Sequence, residues 1–211
     1  IRKLTNLIFE CLQLKEVKHE GWRMAGIPNP DSVAEHSLNA AQIAYILAKM
    51  EGADANRCAT MLVWHDIAET RIGDMHKVTT RYITNKMEAE EVVMNEQFQG
   101  FDFYDDIMKL FQEYEHRDTL EGIIAKDADY LEQAFQAKKY MELGYAETTD
   151  WIINVGKALR TESAKQLWKE LQTTGFTDWW KKGNLITILN NAVYRRHFLI
   201  NGHQDPLRTG K

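Results

Sequence analysis

The sequence predicts an all-α protein, a helical bundle with a C-terminal helical extension. Three observations lead there. Apolar residues recur at three- and four-residue intervals, as in Leu4, Leu7, Ile8, Cys11 and Leu12, which is the stripe of a helix with one buried face. Helix start and stop signals punctuate the chain, among them an S-x-x-E capping box at Ser32 and Glu35 and stops at Gly52 and Gly73. No segment alternates strictly between apolar and polar residues with turn signals at both ends, so a sizeable sheet is not expected.

The first helix gives way at Gly21 and Gly26, and Pro28 and Pro30 make 26–31 an ordered loop. The capping box then opens a helix that runs to Gly52. Asp54 caps the next, which continues through Ala59, Leu62, His65 and Ala68 until Gly73 ends it. After a loop near Thr79, helices are predicted at 82–98, 104–115, 120–143 and 150–173. The tail is aromatic and basic (Phe176, Trp179, Trp180, Tyr194, Arg195, Arg196) and allows one more helix at 184–200. The domain division is therefore a helical body at 1–173 and an extension at 174–211.

Composition narrows the class. With 211 residues, 44% of them hydrophobic and 27% charged, the chain can bury a real core without staples, as one generous domain. A net charge of −5 excludes a nucleic-acid surface spread over the whole molecule. The charge is uneven: from Lys181 onward six basic residues face one acidic, a net of +5, so residues 1–180 carry −10. Cys11 and Cys58 lie far apart and outside any CxxC pattern, which fits a reducing cytoplasm and excludes a cysteine zinc site. No window approaches the ~18 apolar residues of a membrane span, and no signal pattern opens the chain. The start at Ile1 leads us to expect a short upstream segment.

The sharpest local feature is His65-Asp66 followed by Glu69. It interrupts a stretch that otherwise reads as buried (Met61, Leu62, Val63, Trp64, Ile67). Buried carboxylates and imidazoles need partners, and a divalent cation satisfies several at once. His36 lies on one helix face with Ala40, Ile43, Ala44 and Leu47, so it points at the core, either as a satisfied core histidine or as a third ligand in a mixed nitrogen and oxygen set. A fourth oxygen ligand is offered by Lys126-Asp127-Ala128-Asp129. Periodicity favours Asp127, aligned with Ile124, Leu131 and Ala134, and spacing leaves both acids open.

The order His36, His65-Asp66, Asp129 resembles the HD-domain metal-dependent phosphohydrolases. Gly21-Trp22, the segment from Ser32 to Ser37, His65-Asp66-Ile67-Ala68-Glu69 with Gly73-Asp74, the triplet Glu113-Tyr114-Glu115 and Lys126-x-x-Asp129 are similar to the 5′-deoxynucleotidase branch. The resemblance implies an HD-domain helical bundle whose metal is held by His36, His65, Asp66 and Asp129, with Asp127 the second choice. It implies a phosphomonoesterase that hydrolyses deoxyribonucleoside 5′-monophosphates, with Glu69 and Asp74 orienting water and moving protons. Their structural alternatives are a hydrogen-bond acceptor behind a histidine and a turn residue.

A phosphate needs positive charge or N–H donors, and the family's arginine ahead of the tryptophan is replaced here by Lys18-His19-Glu20-Gly21, with Arg23 following. Lys18, His19 and Arg23 are each candidates. Trp22 either packs against the sugar or clamps its loop onto the body, and Glu113 and Glu115 either contact substrate or form a solvated face. Mn, Co, Fe, Ni, Zn and Mg all remain open as the divalent metal ion. The partner is a small-molecule nucleotide, with no membrane or nucleic acid, and the family implies a homodimer. The aromatic and basic tail reads as an amphipathic extension packed on the acidic body or a second subunit, ahead of a nucleotide-stacking surface. Two other functions stay in view: an HD hydrolase of triphosphates or phosphodiesters, and a non-catalytic metal-stabilised nucleotide-binding module.

Overall fold

A computed structural model describes residues 1–181, and its regular elements are all helical. In chain order they are α1 (Arg2–Leu12), α2 (Gly21–Met24), α3 (Val33–Glu51), α4 (Ala55–Trp64), α5 (Glu69–Ile72), α6 (Lys86–Phe98), α7 (Tyr104–His116), α8 (Leu120–Glu142), α9 (Thr149–Ala158), α10 (Glu162–Leu171) and α11 (Asp178–Lys181), with 3-10 turns at Gln13–Lys15, Thr79–Arg81 and Ala146–Thr148. The chain divides into two units, Ile1–Thr173 and Thr174–Lys211. Of the second, the described residues hold α11. The predicted helix at 184–200, with Tyr194, Arg195 and Arg196, lies outside the described residues. No helix among the described residues is long and apolar enough to cross a membrane.

α3 begins where the sequence says it should. The Ser32 hydroxyl accepts from the Glu35 N–H while the Glu35 carboxylate accepts from the Ser32 N–H, and Gly52 closes the helix in the left-handed conformation at φ 73°. Its buried face is built from Ala40, Ala41, Ala44 and Ala48, opposite Ala125, Ala128 and Ala134 of α8, all 7% exposed or less. Small side chains on both surfaces let α3 and α8 approach closely, with α4 packed beside them. Leu47, Leu62, Ile124 and Leu131 fill the space between, each fully buried side chain contributing roughly 1.5–3 kcal/mol.

Three predicted boundaries are corrected. The helix expected to run from Asp54 to Gly73 stops at Trp64 and restarts as α5. Between them the backbone tightens to i→i+3 bonds, with Ile67, Glu69, Thr70 and Arg71 donating to Trp64, Asp66, Ile67 and Ala68. The helix expected at 82–98 starts at Lys86, because 79–81 form a 3-10 turn. The helix expected at 150–173 splits at an extended Leu159, after which Thr161 caps α10 by accepting from the Ala164 N–H.

Candidate metal centre

Each piece of the site comes from a separate helix of the α3, α4 and α8 core. His36 sits one turn into α3 on its alanine stripe and is 1% exposed. His65 and Asp66 stand in the turn between α4 and α5, and Asp129 lies mid-way along α8, 5% exposed. Packing of the three helices draws them together. His36 Nε2 is 3.3 Å from Asp129 Oδ1 and 3.8 Å from Asp66 Oδ2, and His65 Nε2 is 2.9 Å from Asp66 Oδ2. The ligand atoms of His36, His65 and Asp129 all lie within 4.8 Å of one another, as do those of His19, His36 and Asp66.

This donor set fits a divalent cation. His65 Nδ1 lies 2.9 Å from the Leu62 carbonyl, which can only accept, so Nδ1 carries a proton and, in the neutral ring, Nε2 presents a lone pair. That Nε2 is buried without a hydrogen-bond partner, its contact with Asp66 bringing together two electron-rich atoms. An unpaired buried nitrogen costs ~1–3 kcal/mol, which binding of a divalent cation would remove. His36 is arranged alike: Nδ1 is 2.5 Å from Glu132 Oε2, so a carboxylate behind the ring orients Nε2 toward the cluster. Burial works against charge on these groups, yet their neighbours prevail. The hydrogen bonds and charges of Asp129 and Glu132 raise His36 well above 6.5, while Lys126 and His36 hold Asp129 well below 3.8.

Further groups fix Asp129 in place. Its Oδ2 accepts from the Tyr114 hydroxyl at 2.7 Å and pairs with Lys126 Nζ at 2.9 Å, and its Oδ1 accepts from Gln133 Nε2 at 3.0 Å. Asp127, the choice that periodicity favours, faces elsewhere. It accepts the Arg160 and Thr161 N–H groups and the Thr161 hydroxyl, and so tethers the α9–α10 junction.

The remaining sequence candidates divide. Glu69 is 3% exposed with Oε2 unpartnered, and burial together with the Asp66 charge pushes its carboxyl well above 4.5. Asp74 Oδ2 accepts the Glu20 N–H at 2.7 Å, tying the loop that carries His19. His19 reaches the cluster, its ring centroid 4.4 Å from that of His36 and its Nδ1 3.3 Å from Asp31 Oδ2. Lys18 is engaged through its backbone in an isolated bridge with Ser32. Arg23 pairs with Glu20 at 2.7 Å and donates to the Pro28 carbonyl. Trp22 takes the clamping position, 2% exposed against Tyr140 and Trp151. Glu113 pairs with Arg57 and accepts from the Thr119 hydroxyl. Sequence reasoning missed Glu132, Asp31, Lys86 and Glu90. Of these, Glu132 carried a signal, an acid one turn beyond Ala128 on the buried face of α8.

The family description that matches is the HD domain, over residues 11–172. The 5′-deoxynucleotidase HDDC2 of Bos taurus is 30% identical over 133 residues, 62% of this chain and 64% of that protein. The 5′-deoxynucleotidase hdd1 of Schizosaccharomyces pombe is 31% identical over 142 residues, 62% of this chain and 69% of that protein. The chain thus spans a little under two thirds of the length of the first of these. A conserved hypothetical protein from Pyrococcus furiosus superposes with a TM-score of 0.68 at 29% identity, covering 81% of this chain and 99% of that one. With its helical core, its His and His-Asp order and this match over most of its length, the chain belongs to the HD domain family.

Proposed function

We propose that the protein is a metal-dependent phosphohydrolase that converts deoxyribonucleoside 5′-monophosphates to deoxynucleoside and phosphate. The observation that carries this reading is the convergence of His36, His65, Asp66 and Asp129, with an unpartnered His65 Nε2, beside a buried Glu69 that has a free oxygen. The names of the cattle and fission-yeast relatives supply the substrate class. His36, His65, Asp66 and Asp129 would hold a divalent ion, which would supply Lewis acidity toward the phosphate and lower the pKa of a water.

The protein's own groups do the rest. Glu69 Oε2 accepts a hydrogen bond from the attacking water and orients it toward phosphorus. Among the three phosphate candidates, His19 has the strongest support, because its ring stands at His36 while Arg23 is spent on Glu20. Asp31 behind Nδ1 leaves Nε2 of His19 to meet a phosphate oxygen. Asp74 acts on the same loop through the Glu20 N–H. Trp22 serves substrate selection by anchoring that loop, and Glu113 by way of its pairing with Arg57. The reading includes a homodimer working in the cytoplasm, in keeping with two free cysteines.

Phosphate release from a panel of deoxynucleoside and nucleoside 5′-monophosphates, with Co²⁺, Mn²⁺ or Mg²⁺ added, tests the proposal. Turnover of the deoxy series that is lost in Asp66→Ala is expected. No release from any monophosphate, or an Asp66→Ala variant as active as wild type, overturns it.

A further inference from the structure

Lys86 belongs to none of the motifs singled out in the sequence, yet the fold brings it to the buried carboxyls of Glu69 and Glu90. It is the first residue of α6, and its Nζ lies 3.5 Å from Glu69 Oε1 and 3.0 Å from Glu90 Oε1. A cation at a helix N-terminus opposes the helix dipole, which favours acids there. A residue that breaks a local rule while satisfying a distant partner marks a functional constraint. Both partners are buried, Glu69 to 3% and Glu90 to 6% exposure. Glu90, one turn along α6, holds the ammonium from one side, so the other side is fixed against Glu69. Arg71, closer in sequence, is committed to Glu10 and Glu96.

Building on the phosphohydrolase reading, we infer that Lys86 is a positioning residue: its ammonium clamps Glu69 through Oε1 and leaves Oε2 free to accept a hydrogen bond from the attacking water. Glu69 needs such a clamp. It stands in a surround of like charge, where burial and the carboxylates of Asp66, Asp74 and Glu90 all disfavour its ionised form and Lys86 opposes them. Without Lys86, Oε1 would lose this partner and the carboxyl would be free to turn, so that Oε2 would no longer be held in the orientation that receives the water.

The experiment measures kcat and KM for a deoxynucleoside monophosphate in wild type, Lys86→Met, Lys86→Gln, Lys86→Arg, Glu69→Gln and the Glu69→Gln/Lys86→Met double variant, with metal affinity and melting temperature alongside. Lys86→Met is expected to lower kcat about 10–100-fold, the usual effect of losing an outer partner, with KM and metal affinity within about threefold. Lys86→Arg restores most of kcat, and in the Glu69→Gln background Lys86→Met costs nothing further. Lys86→Gln keeps the chain length and polarity without the charge and is judged by the same criteria should Lys86→Met fail to fold. A kcat within about twofold of wild type in the uncharged variants, or an equal loss on both backgrounds, overturns the inference. Wild-type turnover is read first: no phosphate release refutes the enzymatic reading and this inference with it, whereas an active wild type with indifferent Lys86 variants refutes the role of Lys86 alone.

Discussion

Asp127→Ala and Asp129→Ala separate the two acids that one short segment of α8 offers. Asp127 is 2% exposed, and its oxygens accept from the Arg160 N–H at 3.0 and 3.1 Å, the Thr161 N–H at 2.7 Å and the Thr161 hydroxyl at 2.7 Å. Truncation leaves three donors without an acceptor. Hydrogen bonds to a charged group are worth ~1.5–3 kcal/mol each, and water can re-enter beside the exposed Arg160, so the loss is about 3–5 kcal/mol. At ~2–4 °C per kcal/mol for a chain of this size, the melting temperature falls by roughly 10–15 °C. Metal affinity, measured by calorimetric titration below that melting point, stays where it was. Asp129→Ala shows the opposite pattern, losing more than the ~10–100-fold in metal affinity that an outer partner is worth. An Asp127→Ala variant that melts normally but binds metal more than about tenfold more weakly would refute the assignment, because ligand and tether would then be exchanged.

Glu132→Gln keeps the shape behind His36 Nδ1 and removes its charge, so metal affinity falls about 10–100-fold while the fold persists; unchanged affinity in the same titration would show that the carboxylate does not orient the ring. Ser32→Ala removes one arm of the capping box and costs about 1 kcal/mol at neutral pH. Hydrogen bonds from the Ser32 N–H and hydroxyl hold Glu35 below its ordinary 4.5, so this stabilisation is full above that value and is lost as pH falls through the lower folded value. Denaturant melts of both proteins at neutral and acid pH check it: a gap that stays constant or widens in acid contradicts the sign.

What could be read from the sequence was what local chemistry determines. The start of α3 needs only Ser32 and Glu35, its end only Gly52, and His36 is visible because it sits on a stripe of alanines. The break after Trp64 carries no glycine or proline. It arises where His65 turns its Nδ1 onto the Leu62 carbonyl and Asp66 is re-aimed beside it, a requirement of the site that propensity does not encode. The split near Leu159 did leave a local sign in Thr161, whose hydroxyl caps α10, but the continuous apolar pattern masked it. Asp127 shows how periodicity misleads: it reports that an acid is buried and is silent on whether a metal or two backbone N–H groups satisfy it. Glu132 and Lys86 stand 96 and 17 residues from the groups they serve, and only the packing of α8 on α3 and of α6 on α5 pairs them.

The acidic body noted from composition acquires a location and a reason. Around the cluster the carboxyl groups of Asp31, Asp66, Glu69, Asp74, Glu90, Asp129 and Glu132 outnumber the basic groups of His36, Lys86 and Lys126, and the two lysines are each spent on acids. A phosphate dianion approaching that surround meets repulsion that a low local dielectric strengthens. On the proposed function, the same excess would attract a divalent cation, and a bound cation would offset that repulsion where a phosphate binds. Lys86 and Lys126 are each paired with carboxylates, so on the proposed function His19 and the ion would be the groups that receive the phosphate.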